Sequence, residues 1–206
     1  ECNHNCNATI LQLPLAEHIQ GFEDYLLSSV YPTHDIDGLT AKNKINLINK
    51  SKETLIPCTA LAVYKIMEHE LETNDFSGKK VCIVNRSDLI GKPLSSLLLN
   101  HNATVTVAHS RTDKDINNYL QHNKFDFVVT GIGKHIIYEG LIDKATIIDC
   151  GITRDNDGKL LRDVIRFEGE CEPYLRNEYY GAVGIVTTSC VAHNVLKAYK
   201  LQNVIQ

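Results

Sequence analysis

Residues 84–93, Val-Asn-Arg-Ser-Asp-Leu-Ile-Gly-Lys-Pro, put an arginine and a serine where the apolar run Val81-Cys82-Ile83-Val84 gives way to a helix-forming stretch. In a doubly wound sheet such a strand-to-helix turn holds the phosphates of a nucleotide, because free N–H groups at the helix start point toward it. The usual dinucleotide fingerprint has three glycines, and this turn has Gly91 alone, with Arg86 and Ser87 at the strand exit. An arginine there can pair with a 2′-phosphate, which points to NADP rather than NAD. The competing reading is an ordinary Arg-Ser surface turn ahead of a helix.

Other positions share that logic. Gly131 closes the apolar run 125–130, and Gly151-Ile152 follows the run 145–150, so these residues fall at carboxyl strand ends where backbone must come close to a cofactor. Plain turn chemistry is the other account of both glycines. Ser110 and Arg111 follow the run 103–108, near where a second strand reads an adenosine ribose; for Arg111 the alternative is a solvated surface charge. Cys2, His4 and Cys6 alternate without further clustered ligands, so no metal is expected.

The elements that must position these residues are readable from periodicity. An apolar strand is expected from Ile10 to Leu15, then a helix over 16–30 with Ile19, Phe22, Leu26 and Leu27 on one side. A polar loop with Asp35, Asp37 and Gly38 follows, and then a helix over 59–71 with Thr59 as its N-cap. The polar stretch Glu72-Thr-Asn-Asp-Phe-Ser-Gly-Lys-Lys marks a boundary. Beyond it the pattern predicts strand 80–85, helix 91–101, strand 103–108, helix 113–122, strand 125–130, a short apolar segment at 136–142 and strand 145–150. Strands alternating with helices in short βα units predict a parallel sheet covered on both faces, a Rossmann-type domain. A last helix is expected over 187–200, with Val191, Val195, Leu196 and Tyr199 on one side. The fold class is therefore α/β. A smaller, incomplete α/β domain spans 1–72, a nucleotide-binding domain spans 73–186, and a C-terminal helix lies in 187–206.

Composition sets the outer bounds. Of 206 residues, 43% are hydrophobic and 22% charged, which suits a globular chain with a substantial core. A formal net charge of −4, with no basic stripe, argues against nucleic-acid or anionic-membrane partners. No apolar run reaches the roughly 20 residues needed to span a bilayer, and the first residues lack the pattern of a signal peptide. A cytoplasmic location is expected, with a mitochondrial one open if a transit segment lies upstream. Seven scattered cysteines fit reduced thiols, and the sequons at Asn7, Asn49, Asn85 and Asn102 then carry no glycan.

The cofactor turn lies among Gln12-Leu-Pro-Leu, Asp35-Ile-Asp-Gly-Leu, Pro57-Cys-Thr, Asn102-Ala-Thr-Val-Thr, His109-Ser-Arg-Thr, Ile148-Asp-Cys-Gly-Ile and Gly181-Ala-Val-Gly-Ile-Val-Thr. In that order, over nearly the whole chain, these segments resemble the methylenetetrahydrofolate dehydrogenase/cyclohydrolase family. The resemblance implies an NADP-dependent oxidoreductase acting on the CH–NH group of methylenetetrahydrofolate, with an associated methenyltetrahydrofolate cyclohydrolase, and a homodimer formed through the Rossmann domains. It implies that Arg86 and Ser87 face the 2′-phosphate and ribose with Ser110 as partner. It also implies that a tetrahydrofolate derivative lies in an interdomain cleft, and that the last helix crosses back onto the first domain. Asp37 would accept two hydrogen bonds from the aminopyrimidine edge, and Gln12 would bond the family's catalytic lysine.

The chain departs from the family in places. No Tyr or Lys precedes Gln12, so the family's catalytic lysine is absent, which implies a fragment of a longer product or a protein with impaired cyclohydrolase activity. Asn85 replaces a glycine of the cofactor turn, Glu178-Tyr-Tyr-Gly-Ala replaces a Pro-rich folate-pocket segment, and Ile185 stands where a proline is usual. Tyr179 and Tyr180 either stack on a pterin or obstruct it. The alternative function is a non-catalytic relative that keeps the Rossmann domain as a nucleotide-binding or dimerisation module.

Overall fold

The computed structural model describes residues 6–138, 142, 144–165, 179–180 and 183–203, with backbone alone at 179–180. In chain order come a short 3-10 turn at Glu17–Ile19, α1 (Glu23–Ser28), α2 (Ala41–Ile48), α3 (Cys58–Leu71), β1 (Lys80–Val84), α4 (Gly91–Leu99), β2 (Thr104–Ala108), α5 (Ile116–His122) and β3 (Phe127–Thr130). There follow β4 (Ile137–Tyr138), β5 (Thr146–Asp149), β6 (Thr153–Arg154), β7 (Leu160–Leu161), β8 (Val164–Ile165), β9 (Tyr179–Tyr180) and α6 (Val183–Asn203).

Five strands form one parallel sheet in the order β2-β1-β3-β5-β9. Val81 lies opposite Val105 on one side and Phe127 on the other, and Val84 opposite Ala108 and Thr130. Because side chains alternate across a strand, Val81, Ile83, Phe127, Val129 and Ile148 pack on one face with α3, α4 and the start of α6. Cys82, Val84, Val128 and Ile147 pack on the other face with Leu120 of α5 and Val164 of β8. Covering both faces is what turns these strands into unbroken apolar runs. Each large side chain so buried contributes about 1.5–3 kcal/mol.

The sheet matches the expected βα pattern within a residue or two at most ends, and the N-terminal third differs. In place of a strand over 10–15 there is one parallel bridge, Thr9 with Asp35, held by Thr9 N–H to His34 O at 2.6 Å and Ile36 N–H to Thr9 O at 3.2 Å. The helix expected over 16–30 is divided by Gly21, whose φ of +91° ends the 3-10 turn before α1 begins. Pro57, not Thr59, occupies the N-cap of α3, and its carbonyl accepts Leu61 N–H at 2.9 Å. α2 was not expected, because its inner face is polar. Asn43 and Asn46 are buried beside Leu47, while Ile45 and Ile48 are 54% and 64% exposed, which blurs the apolar periodicity of a helix.

Asn43 replaces the missing apolar contacts with hydrogen bonds. Its Nδ2 donates to Pro32 O at 2.9 Å and Asp35 Oδ2 at 3.0 Å, and its Oδ1 accepts Leu55 N–H at 3.2 Å. α6 crosses back over α3 and the N-terminal segment. Asn194 Nδ2 donates to Ile36 O and Ile56 O at 2.7 and 2.8 Å, and Lys197 Nζ donates to Thr54 O at 2.7 Å. Nothing among the described residues is a helix long and apolar enough to cross a membrane.

Candidate functional site

The chain leaves β1, goes to β2 on one side, then crosses to β3 on the other, so the sheet order reverses between β1 and β3. At the carboxyl ends of strands flanking such a switch point, open α/β sheets have their ligand crevice. There is a cavity of about 520 Å³ there, walled by the three loops that leave β1, β2 and β3. The first loop supplies Asn85, Arg86 and Ser87; the second His109, Ser110, Asp113 and Lys114; the third Gly131, Ile132 and Lys134. Its apolar lining is Val84, Ala108, Ile116, Ile132 and Ile136.

The first loop is held by Asn85. Its Oδ1 accepts Ser87 N–H at 2.7 Å and Gly91 N–H at 3.0 Å, and its Nδ2 donates across the switch point to Gly131 O. Backbone donors at the start of α4 are thereby satisfied internally, as in an Asx-type turn. Gly91 is required by close approach, since a Cβ there would lie 2.1 Å from Asn85 O. Ser87 Oγ accepts Ile90 N–H at 3.1 Å, which closes the turn. In the second loop His109 N–H donates to Thr112 Oγ1 at 2.9 Å, and Arg111 N–H donates to His109 Nδ1 at 3.2 Å. Asp113 accepts Asp115 N–H and Asn118 Nδ2, and these bonds hold its carboxyl below the usual range.

Charge around the cavity is unequal. Arg86, Lys114 and Lys134 line it against the single carboxylate of Asp113. An apolar slot with cations at its rim fits the adenosine end of a dinucleotide carrying an extra phosphate. Lys114 and Lys134 were missed by sequence reading, because a lysine four residues past Ser110 or three past Gly131 carries no motif.

Of the residues predicted from sequence, Arg86, Ser87, Ser110 and Gly131 meet in this cavity, whereas Arg111, Gly151 and Ile152 are not among its lining residues. Ile152 is 58% exposed. Gly151 is buried against another carboxylate: a Cβ there would fall 2.0 Å from Asp163 Cγ and Oδ1.

The folate-side candidates sit in the N-terminal segment. Asp37 is partly buried beside Cys58 and Asp35; burial raises its carboxyl above the ordinary range, a bond from the Cys58 thiol works against that, and Asp35 adds to it. Burial, followed by the negative charge of Asp37, pushes the Cys58 thiol up to about 12, so it stays protonated and can donate. Gly38, at φ +65°, lets the loop turn where a Cβ would meet Leu55 O at 2.3 Å. Gln12 is exposed, and its Nε2 donates to Leu13 O at 3.2 Å. A second cavity of about 210 Å³ lies between α2 and α4, lined by Gly38, Lys44, Pro57, Asp88 and Lys92 among others, and includes neither Gln12 nor Asp37. Across it Asp88 pairs with Lys44 at 2.8 Å and Lys92 at 2.5 Å. The Tyr180 side chain lies outside the described residues.

A five-stranded parallel sheet with a cation-rimmed cavity at its switch point defines a Rossmann-type nucleotide-binding α/β protein. Residues 57–203 match the profile of the tetrahydrofolate dehydrogenase/cyclohydrolase, NAD(P)-binding domain, and the chain belongs to that family. It is 37% identical over 196 residues to the bifunctional protein FolD of Bacillus subtilis (strain 168), covering 93% of this chain and 65% of that protein. The crystal structure of bifunctional 5,10-methylenetetrahydrofolate dehydrogenase/cyclohydrolase from Thermoplasma acidophilum superposes with a TM-score of 0.80 at 30% identity, covering 96% of this chain and 69% of the other. The Trypanosoma brucei enzyme FolD, complexed with NADP cofactor and inhibitor, does so with a TM-score of 0.78 at 32% identity, covering 97% and 69%. The chain thus spans about two thirds of the length of these relatives.

Proposed function

We propose that this chain performs NADP-dependent oxidation of methylenetetrahydrofolate, with the methenyltetrahydrofolate cyclohydrolase step associated with it in the family. The observation that carries the reading is the cavity at the switch point, where Arg86, Ser87, Ser110 and Gly131 converge with Lys114 and Lys134. NADP, when bound, accepts the hydride from the one-carbon bridge of the folate. The chain's own residues bind and orient. Arg86 and Ser110 pair with the 2′-phosphate, Ser87 with the ribose, and the isoleucines flank the adenine. Gly131, just past β3, leaves room for the cofactor at the carboxyl edge of the sheet, and Gly151 and Ile152, just past β5, continue that edge.

On the folate side, Asp37 accepts two hydrogen bonds from the aminopyrimidine edge. By the same resemblance, Gln12 would steer proton movement in cyclohydrolysis by bonding the family's catalytic lysine. Such binding holds donor and acceptor carbons in contact with water excluded, which is most of what hydride transfer asks of a protein. By the same resemblance the active form is a homodimer built through Rossmann domains.

Following NADPH formation from methylenetetrahydrofolate tests the assignment. Wild type should turn over with NADP, and Asp37→Ala should lose turnover while its NADP titration is unchanged. Turnover at the wild-type rate in Asp37→Ala would remove that residue from the site.

A further inference from the structure

Asp163 lies outside the cavity yet fixes one of its walls. Its Oδ2 accepts Ile132 N–H at 2.5 Å and its Oδ1 accepts Lys134 N–H at 2.9 Å, and both residues line the cavity. One carboxylate bonding two amides two residues apart fixes the backbone between them. The carboxylate is fully buried, wedged against Gly151, where there is no room for a Cβ. Asp163 is itself anchored, since its N–H donates to Asp149 Oδ1 at 3.3 Å. Asp149 also accepts Thr130 Oγ1 at 3.1 Å, Gly151 N–H at 2.9 Å and Val164 N–H at 2.9 Å. At its other end the loop is tied by Asn85 to Gly131 O.

Burial raises the Asp163 carboxyl above the ordinary range, so the chain keeps a charge-bearing group where the loss of solvation disfavours it. The return for that cost is the geometry of residues 131–134. We infer that Asp163 is a positioning residue for the cofactor: it holds the Gly131–Lys134 loop so that Ile132 meets the adenine and Lys134 the phosphate. This rests on the cofactor reading above. It also gives Gly151 a reason of its own, because any larger residue would push the carboxylate off the loop.

The test uses the full chain with NADP as the probe. Asp163→Asn keeps the shape but turns a donor toward an amide N–H, and should raise the KM for NADP about tenfold or more, out of proportion to any change in kcat. Gly151→Ala should do likewise, and adding it to Asp163→Ala should cause no further loss, since the clash it creates is with the removed carboxylate. Amide exchange at Ile132 and Lys134 in the cofactor-free protein should accelerate in Asp163→Ala. If that variant does not fold, Asp163→Asn and Gly151→Ala carry both measurements. Wild type binding NADP with an unaltered KM in Asp163→Asn would overturn the inference alone. Wild type failing to bind NADP would overturn the cofactor reading and this role with it, and unchanged exchange at both amides would show that the loop is not held by Asp163.

Discussion

Asp37 carries a carboxylate in surroundings that disfavour its charge: burial first, then Asp35 beside it, with the Cys58 thiol offering partial relief. Its value in the fold lies above that of the unfolded chain, so the folded state holds the proton more tightly. Stability therefore rises as pH falls from neutral through the folded value toward the unfolded one, and the ionised group weighs against folding at pH 7. Asp37→Asn should accordingly melt higher than wild type at pH 7, with the gap closing in acid, while folate turnover falls. Melting curves at several pH values check this, and a lower melting temperature for the variant at neutral pH would contradict it. Residues of this kind were legible when they ended a strand or sat in a turn, as Arg86, Ser110 and Gly131 do. Asp163 was not, because nothing in a chain position near two short strands announces a carboxylate that bonds a loop some 30 residues away.

At the scale of elements, legibility followed the source of stability. β1, β3 and β5 are stabilised by apolar burial on both faces, and that leaves a continuous signal. α2 is held by the hydrogen bonds of the inward-facing Asn43 and by a single buried leucine, Leu47, a pattern that reads as loop. Removing the Asn43 side chain leaves Pro32 O, the Asp35 carboxylate and Leu55 N–H each short of a partner. Asn43→Ala should cost about 2–3 kcal/mol, more than its helix propensity would return. Urea unfolding measures it, and a loss below about 0.5 kcal/mol, the usual range for surface changes, would mean that α2 does not depend on these bonds.

Across the whole molecule, the sheet and its two covering layers bring three strand ends together at one switch point, and α6, packed on α3, holds the N-terminal segment through Asn194 and Lys197. Over the residues 57–203 that match the family profile, α3 and α6 share one apolar cluster with β1 and β3. Sequence reading placed a boundary after residue 72 because the stretch is polar, while packing carries the core across it. The central claim is that the cavity at the switch point takes a dinucleotide by its 2′-phosphate. Calorimetric titration of NADP and NAD into wild type and Arg86→Ala tests it most directly. Charge-assisted bonds of about 1.5–3 kcal/mol predict NADP binding roughly 10–150-fold tighter in wild type, with most of that preference lost in Arg86→Ala. Equal affinity for the two cofactors in wild type, or an undiminished preference in Arg86→Ala, would contradict it.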